Sequence, residues 1–321
     1  MTAPSRAGQP EARVIAPEGP GVWAIASQRH QALWAAVVIC LVGVLAGCTT
    51  AATASSAAEP KATVHPSVAQ TPADGAPALP VRVLQLNLCN SGIAGCYTAR
   101  SITEAAAVIR TEIPDLVTLN EICQSDLPSL RRALAELIPD GDVVSSFQAA
   151  GDRRTRDVFR CRNGQPYGIG LISRWPSPPG SAAAHGVYPS QDTNDPEERA
   201  WLCLDVAASP VIAVCTTHLA DSKSEVAAAQ CRYLFGTVIA EMRKRDPAVP
   251  VVLGGDLNLG SGDGAYLRSC LPAGSALADD GGVQHVVATP GMVVSGSQRI
   301  DLRGTTDHPG LLVTLSPHAG R

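Results

Sequence analysis

Asp256 and Asn258 stand two residues apart where Val249-Pro-Val-Val-Leu-Gly-Gly255 runs out. The run reads as a buried strand, so its end releases a carboxylate and a carboxamide onto one face. Such a pair suits a phosphate and the water that attacks it, although an Asx-rich turn after a strand would leave the same residues. Four further polar groups sit at the ends of other apolar runs: Asn87, Glu121, His218, and the pair Asp307 and His308. One such ending is commonly structural. Five in a single domain are hard to reconcile with packing alone, because polar groups are rarely buried without a partner.

The elements that must carry these groups can be read in order. Val81–Asn87 is near-alternating and reads as a strand. Ser101-Ile-Thr-Glu104 has the form of a capping box and opens a helix to Thr111. Pro114–Glu121 reads as a strand, and leucines 127, 130, 134 and 137 mark a core-facing helix over Ser125–Ile138. Strands are expected at Tyr167–Arg174, Trp201–Val206, and Val211–Thr216 with Thr217 and His218 at its end. Ser222-Lys-Ser-Glu225 looks like a second capping box, for a helix reaching Lys244. After the 249–256 strand, Val283–Ala288 and Met292–Ile300 suggest a hairpin through Thr289-Pro-Gly, and Gly310–Leu315 closes the domain. Strands with interspersed helices and polar strand ends predict an α/β sandwich with its site along one sheet edge.

These pieces resemble the endonuclease/exonuclease/phosphatase superfamily, the fold of DNase I, exonuclease III and neutral sphingomyelinases. The matching stretches are Leu86-Asn87, Asn120-Glu121, Gly168–Arg174, Thr217-His218-Leu219, Gly255–Asn258 and Thr306-Asp307-His308, in the family's order across 81–317. The resemblance implies a four-layered α/β/β/α sandwich that hydrolyses phosphate esters with Mg²⁺ or Mn²⁺. It implies metal ligation by Glu121, a hard oxygen donor, with Asn87 nearby. Asp256 would orient or deprotonate the attacking water and Asn258 would hold a phosphoryl oxygen. His308, oriented by Asp307, would touch the same phosphate; Asp307 is alternatively a metal ligand. His218 would donate a hydrogen bond or proton from the other side, and which histidine is acid or base stays open.

One position departs from the family. Val283-Gln-His-Val-Val287 matches a strand that usually carries an aspartate, and Gln284 stands in its place. A carboxamide can bind phosphate or a histidine but cannot carry the charge. The alternative function is therefore a catalytically weak surface protein that binds phosphate-bearing ligands. Five arginines lie between residues 151 and 162; Arg153, Arg154 and Arg156 are candidate contacts for a polyanionic substrate such as nucleic acid.

The N-terminus reads as an export signal. Arg29 and His30 precede an uncharged run, Gln31–Gly47, which ends in Leu45-Ala-Gly-Cys48. This resembles a bacterial lipobox with Cys48 lipidated, so 1–48 is expected to be removed and 49–80, rich in Ala, Ser, Thr and Pro, to tether domain 81–317. The expected location is the outer face of the cell membrane through a lipid anchor, or the exterior. No protein partner is evident, and a monomer is expected. Eight cysteines remain in the domain, an even number that suits disulfides in an exported chain. Cys89 with Cys96 and Cys203 with Cys215 are plausible local pairs; without a C-x-x-C spacing, a zinc site is disfavoured. The leader carries three arginines and two glutamates, so its loss moves the net charge from −4 to −5. There is no global basic footprint for nucleic acid.

Overall fold

β1 (Val81–Asn87) turns Val83 and Gln85 to one side and Leu84 and Leu86 to the other, and both sides are buried. That is why its apolar residues fall on both faces and not on one. The structure, a computed structural model, describes residues 80–139 and 141–318. The expected signal, Cys48 and nearly all of the tether lie outside these residues, and none of the described helices is long and apolar enough to cross a membrane.

Numbering strands in chain order, the first sheet joins β1 with β2 (Leu116–Cys123), β3 (Val144–Ala149), β6 (Tyr167–Ser173), β14 (Met292–Ile300) and β15 (Gly310–Pro317), in the order β14-β15-β1-β2-β6-β3. The second contains β7 (Ala184–Val187), β9 (Ala200–Val206), β10 (Ile212–His218), β11 (Val251–Asp256), β12 (Ala276–Asp279) and β13 (Gln284–Ala288), ordered β12-β13-β11-β10-β9-β7. A small sheet, β5-β4-β8, joins β4 (Gly151–Asp152), β5 (Asp157–Val158) and β8 (Glu197–Glu198).

Three apolar layers hold the sandwich. Val83, Leu171, Leu204, Val252 and Val313 meet between the sheets. Helices α1 (Ser101–Glu112) and α2 (Leu127–Ala135) cover the first sheet through Ile109, Leu130 and Leu134. The second sheet is covered by α3 (Ser224–Tyr233), which continues through a π-helical segment (Leu234–Ile239) into α4 (Ala240–Arg245), and by α5 (Gly264–Cys270). This is the expected α/β/β/α order. Gly254 is required here: a Cβ would run into Thr118 Oγ1 of the facing sheet.

Several local expectations are corrected. Neither capping box forms. α1 starts at Ser101 itself, whose hydroxyl donates to Asn90 Oδ1, and the Ser222 hydroxyl donates to Asp192 Oδ2 two residues before α3 begins. β13 and β14 are not a hairpin. Thr289-Pro-Gly carries the chain from one sheet to the other, where β13 pairs with β11 and β12, and β14 pairs with β15. α2 is shorter than expected because Gln124–Asp126 forms a 3₁₀ turn ahead of it. Cys89–Cys96 and Cys203–Cys215 are bonded as expected, the latter as direct partners on β9 and β10. Cys123–Cys161 and Cys231–Cys270 are the other two disulfides.

Candidate active site

Parallel pairing decides where the polar strand ends meet. β1 runs parallel to β2 with Asn87 beside Asn120, and β10 runs parallel to β11 with His218 beside Asp256. The C-terminal ends of all four strands open at one edge of the sandwich, the usual place for a site in α/β sheets.

β2 does not end at Glu121. Its pairing with β6 shifts between Leu119 and Ile122, and Glu121 takes a left-handed φ of 57° within this bulge. Bulges redirect side chains, and here the glutamate is turned into the cleft. Asn87 Nδ2 donates to Glu121 Oε1 at 2.8 Å and to Asp256 Oδ2 at 3.0 Å, joining the two sheets. Its own Oδ1 accepts from the Cys89 N–H, so Asn87 clamps the two carboxylates with its amide nitrogen.

Asp256 is almost completely buried and well supplied with donors. Oδ2 also accepts from Gln284 Nε2 at 2.6 Å, and Oδ1 from the Asn258 N–H at 3.1 Å. Burial raises its proton affinity, while His308, Asn87, Gln284 and Asn258 pull it back. His308 Nε2 lies 3.7 Å from Asp256 Oδ2 and equally 3.7 Å from Asp307 Oδ1. Both exceed hydrogen-bond length, so the expected orientation of His308 by Asp307 is not formed. Asn258 has φ 48°, and its Nδ2 donates to Leu219 O at 2.9 Å, leaving a second N–H.

His218 is buried, with Nε2 4.0 Å from Glu121 Oε1 and Nδ1 lacking a partner. Burial, with the charges of Arg199 and His308, holds it well below the usual histidine range, so it is a neutral imidazole. Burial likewise raises Glu121, opposed by its Asn87 hydrogen bond and reinforced by Asp256 and Asp307.

Glu121, His218, Asp256, Asn258, Asp307 and His308 all line one cleft of about 610 Å³. Among the described residues nothing donates to Glu121 Oε2, and Asp307 is half-exposed. Anionic oxygen donors of this kind fit Mg²⁺ or Mn²⁺. Cys89 and Cys96 have their sulfurs within 4.8 Å of the Glu121 carboxylate, but as a disulfide they offer no thiolate.

Four residues expected to contact substrate do not line the cleft. Gln284 is fully buried, bonded to Asp256 and Gln85, and does not line the cleft. Arg153, Arg154 and Arg156 do not line it either, because the turn between β4 and β5 holds them beside it. Arg154 instead lines a neighbouring depression with Arg160, sharing Ile93 and Phe159 with the cleft. The guanidinium that does line the cleft is Arg199, which sequence reading missed. It is buried, 2.9 Å from Asp195 and 3.3 Å from Asp221, with Glu197 at 3.6 Å. The acidic run before it was the available signal. A second, more apolar cavity of about 450 Å³, with Trp175, Pro210 and Met292, lies at the opposite strand ends and contains none of these groups.

Comparison with known proteins agrees with this geometry. The model of the Endonuclease/Exonuclease/phosphatase family matches residues 84–308. No curated protein matches the chain. Among solved structures, it is similar to an endonuclease/exonuclease/phosphatase from Beutenbergia cavernae (22% identity, TM-score 0.55, covering 74% of this chain and 72% of that one). The human Nocturnin catalytic domain with bound sulfate is also similar (14% identity, TM-score 0.57, 74% and 94% covered). So is D. rerio TDP2 complexed with single-strand DNA product (14% identity, TM-score 0.51, 74% and 99% covered). At these identities the structures speak for the fold, and the family model speaks for membership. The match begins inside β1 and ends on His308, enclosing every strand end that meets in the cleft: the chain belongs to the endonuclease/exonuclease/phosphatase family.

Proposed function

We propose that the protein is an exported, metal-dependent phosphoesterase that cleaves phosphodiester or phosphomonoester bonds. The observation that carries this reading is the convergence of Glu121, His218, Asp256, Asn258, Asp307 and His308 on one cleft. Mg²⁺ or Mn²⁺, held by Glu121 and Asp307, would supply charge neutralisation at the phosphate and the leaving oxygen. Asp256, fixed by three N–H donors, accepts a hydrogen bond from the attacking water and takes its proton as the water oxygen bonds to phosphorus. The ester P–O bond breaks meanwhile, and the alcohol leaves as an alkoxide that takes up a proton from solvent. His308 stands close enough to Asp256 to share the site of attack. Asn258 has one N–H for a phosphoryl oxygen, and neutral His218 donates to another from the opposite wall.

The cleft lining carries the carboxylates of Asp195 and Asp221, with Glu197 only partly charged near neutral pH, against one guanidinium, which favours an isolated phosphate group over a polyanion running along that wall. Nuclease-like cleavage requires the strand to leave over the Arg154 and Arg160 depression. The sequence Leu45-Ala-Gly-Cys48 supports lipid anchoring on the outer membrane face, and Cys48→Ser is expected to release the protein from the membrane fraction. Four disulfides suit such an oxidising location.

The test is hydrolysis by the oxidised protein of an oligonucleotide, sphingomyelin and bis-p-nitrophenyl phosphate, with Mg²⁺, Mn²⁺ or EDTA, beside Asp256→Ala and His308→Ala. Metal-dependent turnover lost in both variants is expected. Turnover that survives EDTA, or both substitutions, would refute the reading.

A further inference from the structure

We infer that Gln284 is a positioning residue for Asp256, held in its working orientation by Gln85, and that this site requires its amide and not an acid. The inference rests on the phosphoesterase reading only for what Asp256 does.

The two ends of Gln284 are both committed. Nε2 donates to Asp256 Oδ2 at 2.6 Å, and Oε1 accepts from Gln85 Nε2 at 3.0 Å. Gln85 cannot turn over freely, because its Nε2 also donates to Asn120 Oδ1 at 2.7 Å and its Oε1 accepts from the Thr118 hydroxyl. Asn120 Oδ1 in turn accepts the backbone N–H of Asp256 at 2.7 Å. All of these groups except the Asp256 backbone belong to side chains that are fully or almost fully buried. Donor and acceptor therefore alternate from Thr118 to Gln85 to Gln284 to Asp256, and reversing any amide in the chain sets two acceptors or two donors face to face. A buried mismatch of that kind is costly, so the network has one orientation. That orientation delivers an N–H to the carboxylate.

A glutamate at position 284, the same length as glutamine, would bring a second carboxylate to hydrogen-bond distance of Asp256, next to Gln85. Either the two share a proton or Asp256 rotates away, and in both cases it is lost as a fixed acceptor for water. Gln284 does not touch the cleft, so substrate binding is untouched.

Two substitutions test this by different routes. Gln284→Glu replaces the donor with an acceptor at unchanged side-chain length. Gln85→Glu leaves Gln284 in place but offers it only acceptors, so the Gln284 amide must turn its oxygen to Asp256. Each is expected to lower kcat by about tenfold or more, with KM within about twofold, and the double variant to lose little beyond either alone, as for groups acting as one unit. An unchanged or raised kcat in Gln284→Glu, or additive losses, would overturn the inference. A readout independent of turnover covers misfolding and an inactive wild type. The side-chain NH₂ of Gln284, followed by NMR in the wild-type protein, should exchange slowly with solvent and shift when Asp256 is changed to Asn. A rapidly exchanging Gln284 amide that ignores Asp256→Asn overturns it as well. Absent wild-type turnover on every phosphoester would count against the phosphoesterase reading alone.

Discussion

Asp256 receives N–H groups from Asn87, Gln284 and Asn258, and this arrangement separates its charge from its shape. Asp256→Asn keeps the shape, so the variant should fold and bind ester with a similar KM, while kcat falls by about 10²–10⁴, the range for losing a positioned base. Steady-state kinetics on bis-p-nitrophenyl phosphate decide it; a loss confined to KM would move Asp256 from chemistry to binding. Glu197 gives a second residue-level expectation. Burial pushes it up to about 7 from an ordinary 4.5, against the pull of Arg199 and with the push of Asp195. The folded state therefore holds a proton that the unfolded chain has released, and binds more protons between those values. The stability this group contributes is complete below about 4.5 and is lost as pH rises through about 7. Between about pH 5 and 8 the urea midpoint of the wild type relative to that of Glu197→Gln should fall as pH rises; parallel curves would contradict the assignment. Neither the Asp256 donors nor the Glu197 environment was legible in the sequence. Asn87 and Gln284 lie 169 and 28 residues from Asp256, and only sheet pairing brings them together.

Elements whose burial pattern is local were legible, and those set by distant partners were not. β1 follows its near-alternating run to the residue, and the helical stripe of Leu127, Leu130 and Leu134 is buried as its spacing requires. β13 and β14 look like a hairpin because a Thr-Pro-Gly turn joins two apolar strands; which sheet each joins depends on free edges elsewhere. Ser101 and Ser222 have capping letters, but Asn90 and Asp192 claim their hydroxyls. The Glu121 bulge has no letter pattern at all. Disulfides tie elements differently, and that yields a contrast. Cys231–Cys270 joins α3 to α5 on the outer face, 39 residues apart. Replacing both cysteines by serine should cost about 4 kcal/mol, the chain-entropy value for a loop of this length, with kcat and KM unchanged. Cys123–Cys161 ties the end of β2 beyond the Glu121 bulge to the segment before β6. Its loss should cost a similar amount and also weaken Mg²⁺ activation. Denaturant unfolding with Mg²⁺ titration separates the two, and equal effects on activation would argue that the bulge holds Glu121 unaided.

Charge is distributed unevenly over the molecule as a whole, and substrate size follows from where it lies. The net charge of −4 gives no general attraction for a polyanion. Inside the cleft, Asp195, Glu197 and Asp221 crowd Arg199 along one wall; outside it, Arg154 and Arg160 line the adjoining depression across Ile93 and Phe159, each beside a carboxylate, Asp152 and Asp157. A small ester places only its phosphate in this field, at the donors and the metal site. An oligonucleotide places many phosphates in it; those beyond the scissile one are repelled by the first wall, and at the second they compete with Asp152 and Asp157 for Arg154 and Arg160. Raising salt from about 50 to 200 mM should therefore leave kcat/KM for bis-p-nitrophenyl phosphate nearly constant and lower it for an oligonucleotide, since pairing arginines with phosphates releases counterions. Changing Arg154 and Arg160 together to Gln should reduce both the oligonucleotide rate and its salt slope, by about one unit for each phosphate no longer neutralised. The small-ester rate serves as the internal control, because neither arginine lines the cleft. An oligonucleotide rate indifferent to salt and to both arginines would mean that the strand takes another path, and the acidic wall would then need a cation of its own to admit it.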